Sequence, residues 1–168
     1  ICYMTAAALD GAHDEKTPEA RKIAAERGAL LTPIAKAFST DIGNEMTSLG
    51  VQIHGGMGFI EATGAAQHTR DARIAAIYDG TNGIQAIDLV QRKLPLSGGD
   101  VARSLIADMR ATVDEVARTN APEFGAAAER LREAVDALDR ATQFMFDALQ
   151  NDVHAALSGA TPYLRLFG

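Results

Sequence analysis

An all-α fold is predicted by the sequence on three observations. Apolar residues recur at spacings of three and four along every periodic stretch, and no segment shows the period-two alternation of a half-buried strand. Hydrophobic residues make up 47% of the 168, enough for a core, while aromatics are only 5% and tryptophan is absent. That balance predicts alanine-rich packing between helices. A chain of this length forms one ordinary domain or two small helical units.

Residues 2–12 read as the end of a first helix, released by His13-Asp14-Glu15-Lys16. Thr17-Pro18-Glu19 then supplies an N-cap, a proline at the first helical position and an acid near the positive helix end. The second helix is expected from Pro18 toward Leu49, with Ile34, Phe38, Ile42, Met46 and Leu49 on one inward stripe. Pro33 falls inside it and predicts a kinked single helix in preference to a restart capped by Thr32. A glycine C-cap at Gly50 would end it.

Residues 63–77 read as a short helix with Gln67, Arg70 and Asp71 on its polar face, and 82–94 as the next, with Ile84, Ile87 and Leu94 inward. Pro95-Leu96-Ser97-Gly98-Gly99 breaks the pattern and divides the chain into expected units 1–95 and 96–168. Asp100 is expected to cap a helix whose stripe is Val101, Leu105, Met109, Val113 and Val116. After a turn at Asn120-Ala121-Pro122, one long final helix would carry Phe124, Leu131, Val135, Leu138, Thr142, Met145, Leu149 and Ala156. Their spacing is near a heptad, the repeat of antiparallel bundles. Asp136 and Arg140 form an i,i+4 pair in this reading, and Met46, Met57, Met109 and Met145 are core fillers.

A net charge of −6 with no lysine or arginine cluster argues against a nucleic-acid partner. The single cysteine, Cys2, excludes an internal disulfide framework and fits a reducing compartment. No charged-then-apolar leader and no apolar run of membrane-spanning length is present, so the expected location is cytoplasmic or an organelle matrix. Ile1 opens inside an apolar helical pattern (Tyr3, Met4, Ala7, Ala8) without an initiator methionine, as expected of a piece of a longer polypeptide, inactive by itself.

Two clusters carry chemistry. In Ile77-Tyr78-Asp79-Gly80-Thr81-Asn82-Gly83-Ile84-Gln85, one carboxylate lies between an aromatic ring and a glycine just before a helix start. Gly80 permits the turn, Thr81 can cap, and the N–H groups of Asn82, Gly83 and Ile84 are expected to be open to an anion. A base beside such a site suits an enzyme acting on a cofactor-bound substrate, although an Asp-Gly turn is often only a turn. In Val51-Gln52-Ile53-His54-Gly55-Gly56-Met57-Gly58-Phe59, three glycines let a ligand or another backbone approach the main chain. No lysine follows and no strand precedes, so this is neither a Walker loop nor a dinucleotide fingerprint. His54 reads as a hydrogen-bonded structural residue, Arg70-Asp71-Arg73 as a salt-bridge network, and His54, His68 and Cys2 lie too far apart in sequence for a metal site.

Taken in order, Val51–Phe59, Arg70-Asp71-Ala72-Arg73-Ile74 and Ile77-Tyr78-Asp79-Gly80-Thr81 resemble the acyl-CoA dehydrogenase family over residues 1–95, its C-terminal helical domain. The rest, with its ending Thr161-Pro162-Tyr163-Leu164-Arg165-Leu166-Phe167, resembles the extra helical region of the larger bacterial members, a further helical hairpin. The resemblance implies FAD, an acyl-CoA substrate, electron-transfer flavoprotein as acceptor, and a homo-oligomer, a dimer or dimer of dimers. A carboxylate there removes the α-proton while a hydride leaves the β-carbon for the flavin. The matching position is Asp79, where the usual residue is glutamate; aspartate falls roughly 1.5 Å shorter. The backbone N–H at that position helps polarise the thioester carbonyl. By the same resemblance Thr81, Asn82 and Gly83 contact FAD, with Gly83 standing where many members have glutamine. Gln52, Gly55 and Gly56 match a loop holding the adenosine half of the FAD bound mainly by a neighbouring subunit, while Tyr78 and Gly80 line the substrate pocket. An acyl-CoA oxidase shares this layout. From another class, a non-catalytic helical oligomerisation module is the alternative, resting on the departures at Asp79 and Gly83.

Overall fold

A computed structural model describes residues 1–119 and 121–168; Asn120, part of the expected 120–122 turn, lies outside them. The described residues are helical with no strand. In order they form α1 (Cys2–Asp14), α2 (Pro18–Ile53), α3 (Gly56–Phe59), α4 (Ala65–Ala75), α5 (Asn82–Asp88), α6 (Asp100–Thr119), α7 (Ala127–Asn151), α8 (Val153–Ser158) and α9 (Ala160–Phe167).

The spine is α2, 36 residues and roughly 54 Å long at 1.5 Å per residue. Its start is the expected one, with the Thr17 hydroxyl accepting the Ala20 N–H at 3.2 Å and proline at the first position. Pro33 sits buried within one continuous helix, and the Thr32 hydroxyl donates back to the Gly28 carbonyl (2.7 Å) instead of capping a restart. The helix passes through Gly50 to Ile53, so the turn residue is not Gly50 but Gly55, at φ 63°.

Along α2 the apolar stripe changes role. Ile34 is fully buried and Phe38 packs against the core, whereas Met46, Leu49 and Ile53 are exposed, Ile53 by 84%. The reason is the length of the spine: α1, α5, α6 and α9 pack along parts of it, while α3 and α4, which also pack on it, have no large buried side chain. Met46 and Met57 are therefore not core fillers, unlike Met145, which is buried.

Beyond α5 one residue is inserted into the helical ladder. The Leu94 N–H donates to the Leu89 carbonyl, five residues back, at 2.8 Å. This π-turn brings the adjacent Leu89 and Val90 inward together with Ala86 and Leu94. The expected inward set is correct for Leu94 only; Ile84 and Ile87 face out.

One hydrophobic cluster joins residues on both sides of the Pro95–Gly99 break, from Leu30 and Ile34 through Leu105 and Leu138 to Tyr163 and Phe167. Asp100 opens α6 without capping it; its carboxylate accepts from Arg103 at 3.2 Å. Across α6 and α7, Arg110 bridges Asp136 (2.6 Å) and Asp139 (2.7 Å), which displaces the expected Asp136–Arg140 pair. The final helix is three helices. Asp152 leaves helical geometry (φ −154°, ψ 86°) and its carboxylate accepts the N–H groups of His154 and Ala155, so Ala156 is buried from α8 and α9 can fold back on α5. Phe124, expected on that helix, is exposed in a short 3-10 turn before it.

Candidate active site

The Asp79 turn joins α4 to α5. Asp79 takes a left-handed conformation (φ 55°), followed by Gly80 at φ 80°, and the chain then straightens into Thr81, whose hydroxyl accepts the Ile84 N–H at 3.3 Å. An L-residue in that region is disfavoured, so the surroundings must hold it there. Gln85 Nε2 donates to the Asp79 carbonyl (3.0 Å), and Lys36 Nζ donates to the Gly80 carbonyl (2.7 Å).

Asn82 ties the same turn to α2. Its Oδ1 accepts from Lys36 Nζ (2.8 Å), and its Nδ2 donates to Asp41 Oδ1 (2.7 Å) and the Ala37 carbonyl (3.1 Å). A cation on one side and a carboxylate on the other fix the amide's orientation. Asn82 is thus a strut, with its side chain engaged by α2 and not presented to a ligand. The expected open first turn is also mostly closed: the Asn82 N–H donates to the Ala76 carbonyl (3.2 Å) and the Ile84 N–H to Thr81, leaving that of Gly83.

The segment around Asp79 also exposes apolar side chains. Ile77, Tyr78 and Ile84 are exposed by about half each, and Asp79 and Gly80 are exposed among them. The Asp79 N–H has no acceptor within the described residues.

The 51–59 segment precedes α4 and the Asp79 turn follows it; the eleven residues of α4 make that helix roughly 16 Å long. Among the described residues no hydrogen bond or ion pair joins the two clusters. The glycines of the 51–59 segment divide into two kinds. A Cβ on Gly58 would overlap the Val51 carbonyl, so that glycine lets the loop close on the end of α2; Gly55 and Gly56 face open space. Gln52 is exposed, and His54 Nδ1 lies 2.8 Å from the Gly50 carbonyl, the structural role expected for it. A groove of about 380 Å³ beside the loop is lined by Met46, Gly50, His54, Thr63 and His68. Arg70 pairs with Glu61 at 3.4 Å, and neither Asp71 nor Arg73 joins it in a network. No metal-binding group of His, Cys, Asp and Glu occurs among the described residues, and no helix there is long and apolar enough to cross a membrane.

Comparison with known proteins gives these clusters a context. The sequence pattern of the family described as "Acyl-CoA dehydrogenase, C-terminal domain" matches residues 2–94. The chain belongs to the acyl-CoA dehydrogenase family. A second pattern, "Acetyl-CoA dehydrogenase C-terminal like", matches residues 105–168. Among similar proteins, the 3-methylmercaptopropionyl-CoA dehydrogenase of Ruegeria pomeroyi is 43% identical over 150 residues, which are 89% of this chain and 25% of that protein. A butyryl-CoA dehydrogenase of Syntrophomonas wolfei is 30% identical over 126 residues, 75% of this chain and 20% of its own length. A short-chain specific acyl-CoA dehydrogenase of Megasphaera elsdenii is 46% identical over 52 residues, 31% and 14% of the two chains. This acyl-CoA dehydrogenase chain therefore spans a quarter or less of the curated relatives it matches.

The clamp residue Lys36 was not singled out by the sequence reading. Its signal was a lone cation in the locally apolar run Ile34-Ala35-Lys36-Ala37-Phe38, four residues before Thr40.

Proposed function

We propose that this chain is the part of an FAD-dependent acyl-CoA dehydrogenase that carries the α-proton base, Asp79, for α,β-dehydrogenation of an acyl-CoA thioester. The observation that carries the reading is an exposed carboxylate held in left-handed backbone on a clamped turn, in a segment where Ile77, Tyr78 and Ile84 are also exposed. A base that must work in a dry cavity needs apolar walls ready to be covered, and exposed apolar neighbours suit that role. The cover comes, in this proposal, from parts of the polypeptide outside these residues. Asp79 takes the proton on the carbon next to the thioester carbonyl, its free N–H donates to that carbonyl oxygen, and Tyr78 and Gly80 border the thioester.

For FAD the residues fit in part. Gly55 and Gly56 leave open space for close approach, Gln52 is exposed beside them, and Thr81 and the Gly83 N–H lie at the start of α5. Asn82 does not fit as a ligand, since α2 engages its side chain. When bound, FAD supplies the acceptor for the β-hydride. The placement of the two clusters on either side of α4, a helix roughly 16 Å long, supports a flavin shared between subunits, hence a homo-oligomer, a dimer or a dimer of dimers. The exposed stripe Met46, Leu49 and Ile53 supports the same. Electron-transfer flavoprotein as acceptor and a cytoplasmic location complete the proposal, with 1–95 bearing the site and 96–168 the extra helical region. Two of the relatives are named for butyryl-CoA and short-chain substrates, which makes a short acyl-CoA the first to try.

The test is the complete polypeptide with bound flavin, mixed with acyl-CoA. Asp79→Asn should slow bleaching of the flavin band by about 10²–10⁴-fold. Bleaching at the parent rate would remove Asp79 as the base.

A further inference from the structure

We infer that Lys36 is a positioning residue for the Asp79 turn, an inference that rests on the proposed role of Asp79 as base. Two consecutive residues, Asp79 and Gly80, are left-handed, and the backbone angles there set where the Asp79 carboxylate points. Each carbonyl of this pair is held by one side chain. The Asp79 carbonyl is held by Gln85, which belongs to α5 and so moves with the turn itself. The Gly80 carbonyl is held by Lys36, which belongs to α2.

That difference decides which bond fixes the base relative to the protein. Around Lys36 the spine is anchored by Leu31, Pro33, Ile34 and Ala37, all buried. The ammonium bonds two successive parts of the turn at once, the Gly80 carbonyl at 2.7 Å and Asn82 Oδ1 at 2.8 Å. Asn82 in turn reaches Asp41 at 2.7 Å, one helical turn further along α2. A charge-assisted donor is stronger than a neutral one, and it is directed at a segment whose left-handed conformation needs support. Lys36 touches neither substrate nor the reacting atoms in this scheme; it acts through the backbone of residues 79–82.

The experiment uses the flavin-loaded complete polypeptide and single-turnover bleaching by acyl-CoA, with Asp79→Asn in parallel. Lys36→Met should slow bleaching by about 10–100-fold while half-saturation moves less than about threefold, because misplacing a base by an ångström costs rate and leaves binding largely intact. Lys36→Arg, which keeps charge and two donors, should recover most of the loss. Should Lys36→Met fail to hold flavin, Lys36→Gln is read in its place and should fall between parent and Asp79→Asn. Parent-rate bleaching in the lysine variant, with Asp79→Asn inactive, overturns the role of Lys36 alone. Equal losses in rate and in half-saturation, with no rescue by arginine, also overturn it, as a general weakening of the fold. If Asp79→Asn bleaches normally, the reading beneath fails and this inference with it.

Discussion

Tyr163 on α9 and Thr142 on α7 share a buried hydrogen bond of 2.9 Å between their hydroxyls. Thr142 has one proton, and it is directed at the Leu138 carbonyl, 2.8 Å away. Tyr163 is therefore the donor to Thr142, and once the phenol loses its proton the bond can persist only if Thr142 gives up the Leu138 carbonyl. The pair docks the last helix onto the long one, with Phe167 set edge-on against the Tyr163 ring at 5.8 Å. Burial pushes the Tyr163 phenol up to about 12, against a smaller downward pull available if Thr142 turns its proton away from Leu138.

The first prediction is alkaline loss of stability. The folded value lies above the ordinary 10.0, so the native state holds the proton more tightly than the unfolded chain. The stabilisation is complete below pH 10 and is lost as pH rises toward 12, by about 3 kcal/mol from the linkage between two pKa values. Urea midpoints between pH 8 and pH 12 measure it, and a flat profile contradicts it.

Tyr163→Phe supplies the second. At neutral pH it should destabilise by about 1 kcal/mol, the loss of one buried hydrogen bond with Thr142 still satisfied through Leu138. Its phenyl ring cannot ionise, so the steep fall above pH 10 should vanish. The two unfolding profiles should cross near the alkaline end, where the variant becomes the more stable protein.

Elements could be read from the sequence where the apolar stripe and the local signals agreed. Thr17-Pro18 marks the start of α2, and Leu105 and Val113 mark the buried face of α6. The errors arise where pattern alone cannot know what lies opposite. Met46 and Leu49 continue the stripe of Ile34, yet no element of these residues covers them. The π-turn at Leu89–Lys93 shifts the inward face by one residue, which a fixed period of 3.6 does not anticipate. At the site, the Asp79-Gly80-Thr81 turn and its cap were legible, because glycine and threonine have local reasons to be there. The partners were not: Lys36 and Asp41 lie more than 40 residues away, and only folding brings them to Asn82.

Gly99 carries the third prediction. It sits at φ 91°, and an added Cβ would overlap the Phe146 ring, which is itself held under the Arg103 guanidinium at 4.7 Å. Gly99→Ala should therefore cost about 2–4 kcal/mol, combining a left-handed alanine with overpacking. Gly98→Ala is the control: its φ of 69° is also left-handed, but no atom lies within 4 Å, so only the conformational cost of about 1 kcal/mol applies. Equal losses in the two variants would show that the Phe146 contact contributes nothing.

The fourth prediction concerns Asp79 itself, and it turns strain into a test of purpose. At φ 55° the residue occupies a region that glycine enters freely and that aspartate, though among the L-residues that tolerate it best, enters at a cost. Its carboxylate makes no hydrogen bond within the described residues, so nothing local compensates for the aspartate. Asp79→Gly should then stabilise these 168 residues by about 0.5–1 kcal/mol, read as a higher urea midpoint at unchanged slope. Asp79→Ala should not, because it keeps the Cβ that the backbone disfavours. On the proposed function, both variants should also lose acyl-CoA-driven bleaching of the flavin in the complete polypeptide. A gain in stability coupled to a loss of turnover is the signature of a residue retained for chemistry at the expense of the fold. If Asp79→Gly instead loosens the turn and lowers the midpoint, the aspartate serves the structure, and the reading of it as a base loses its principal support.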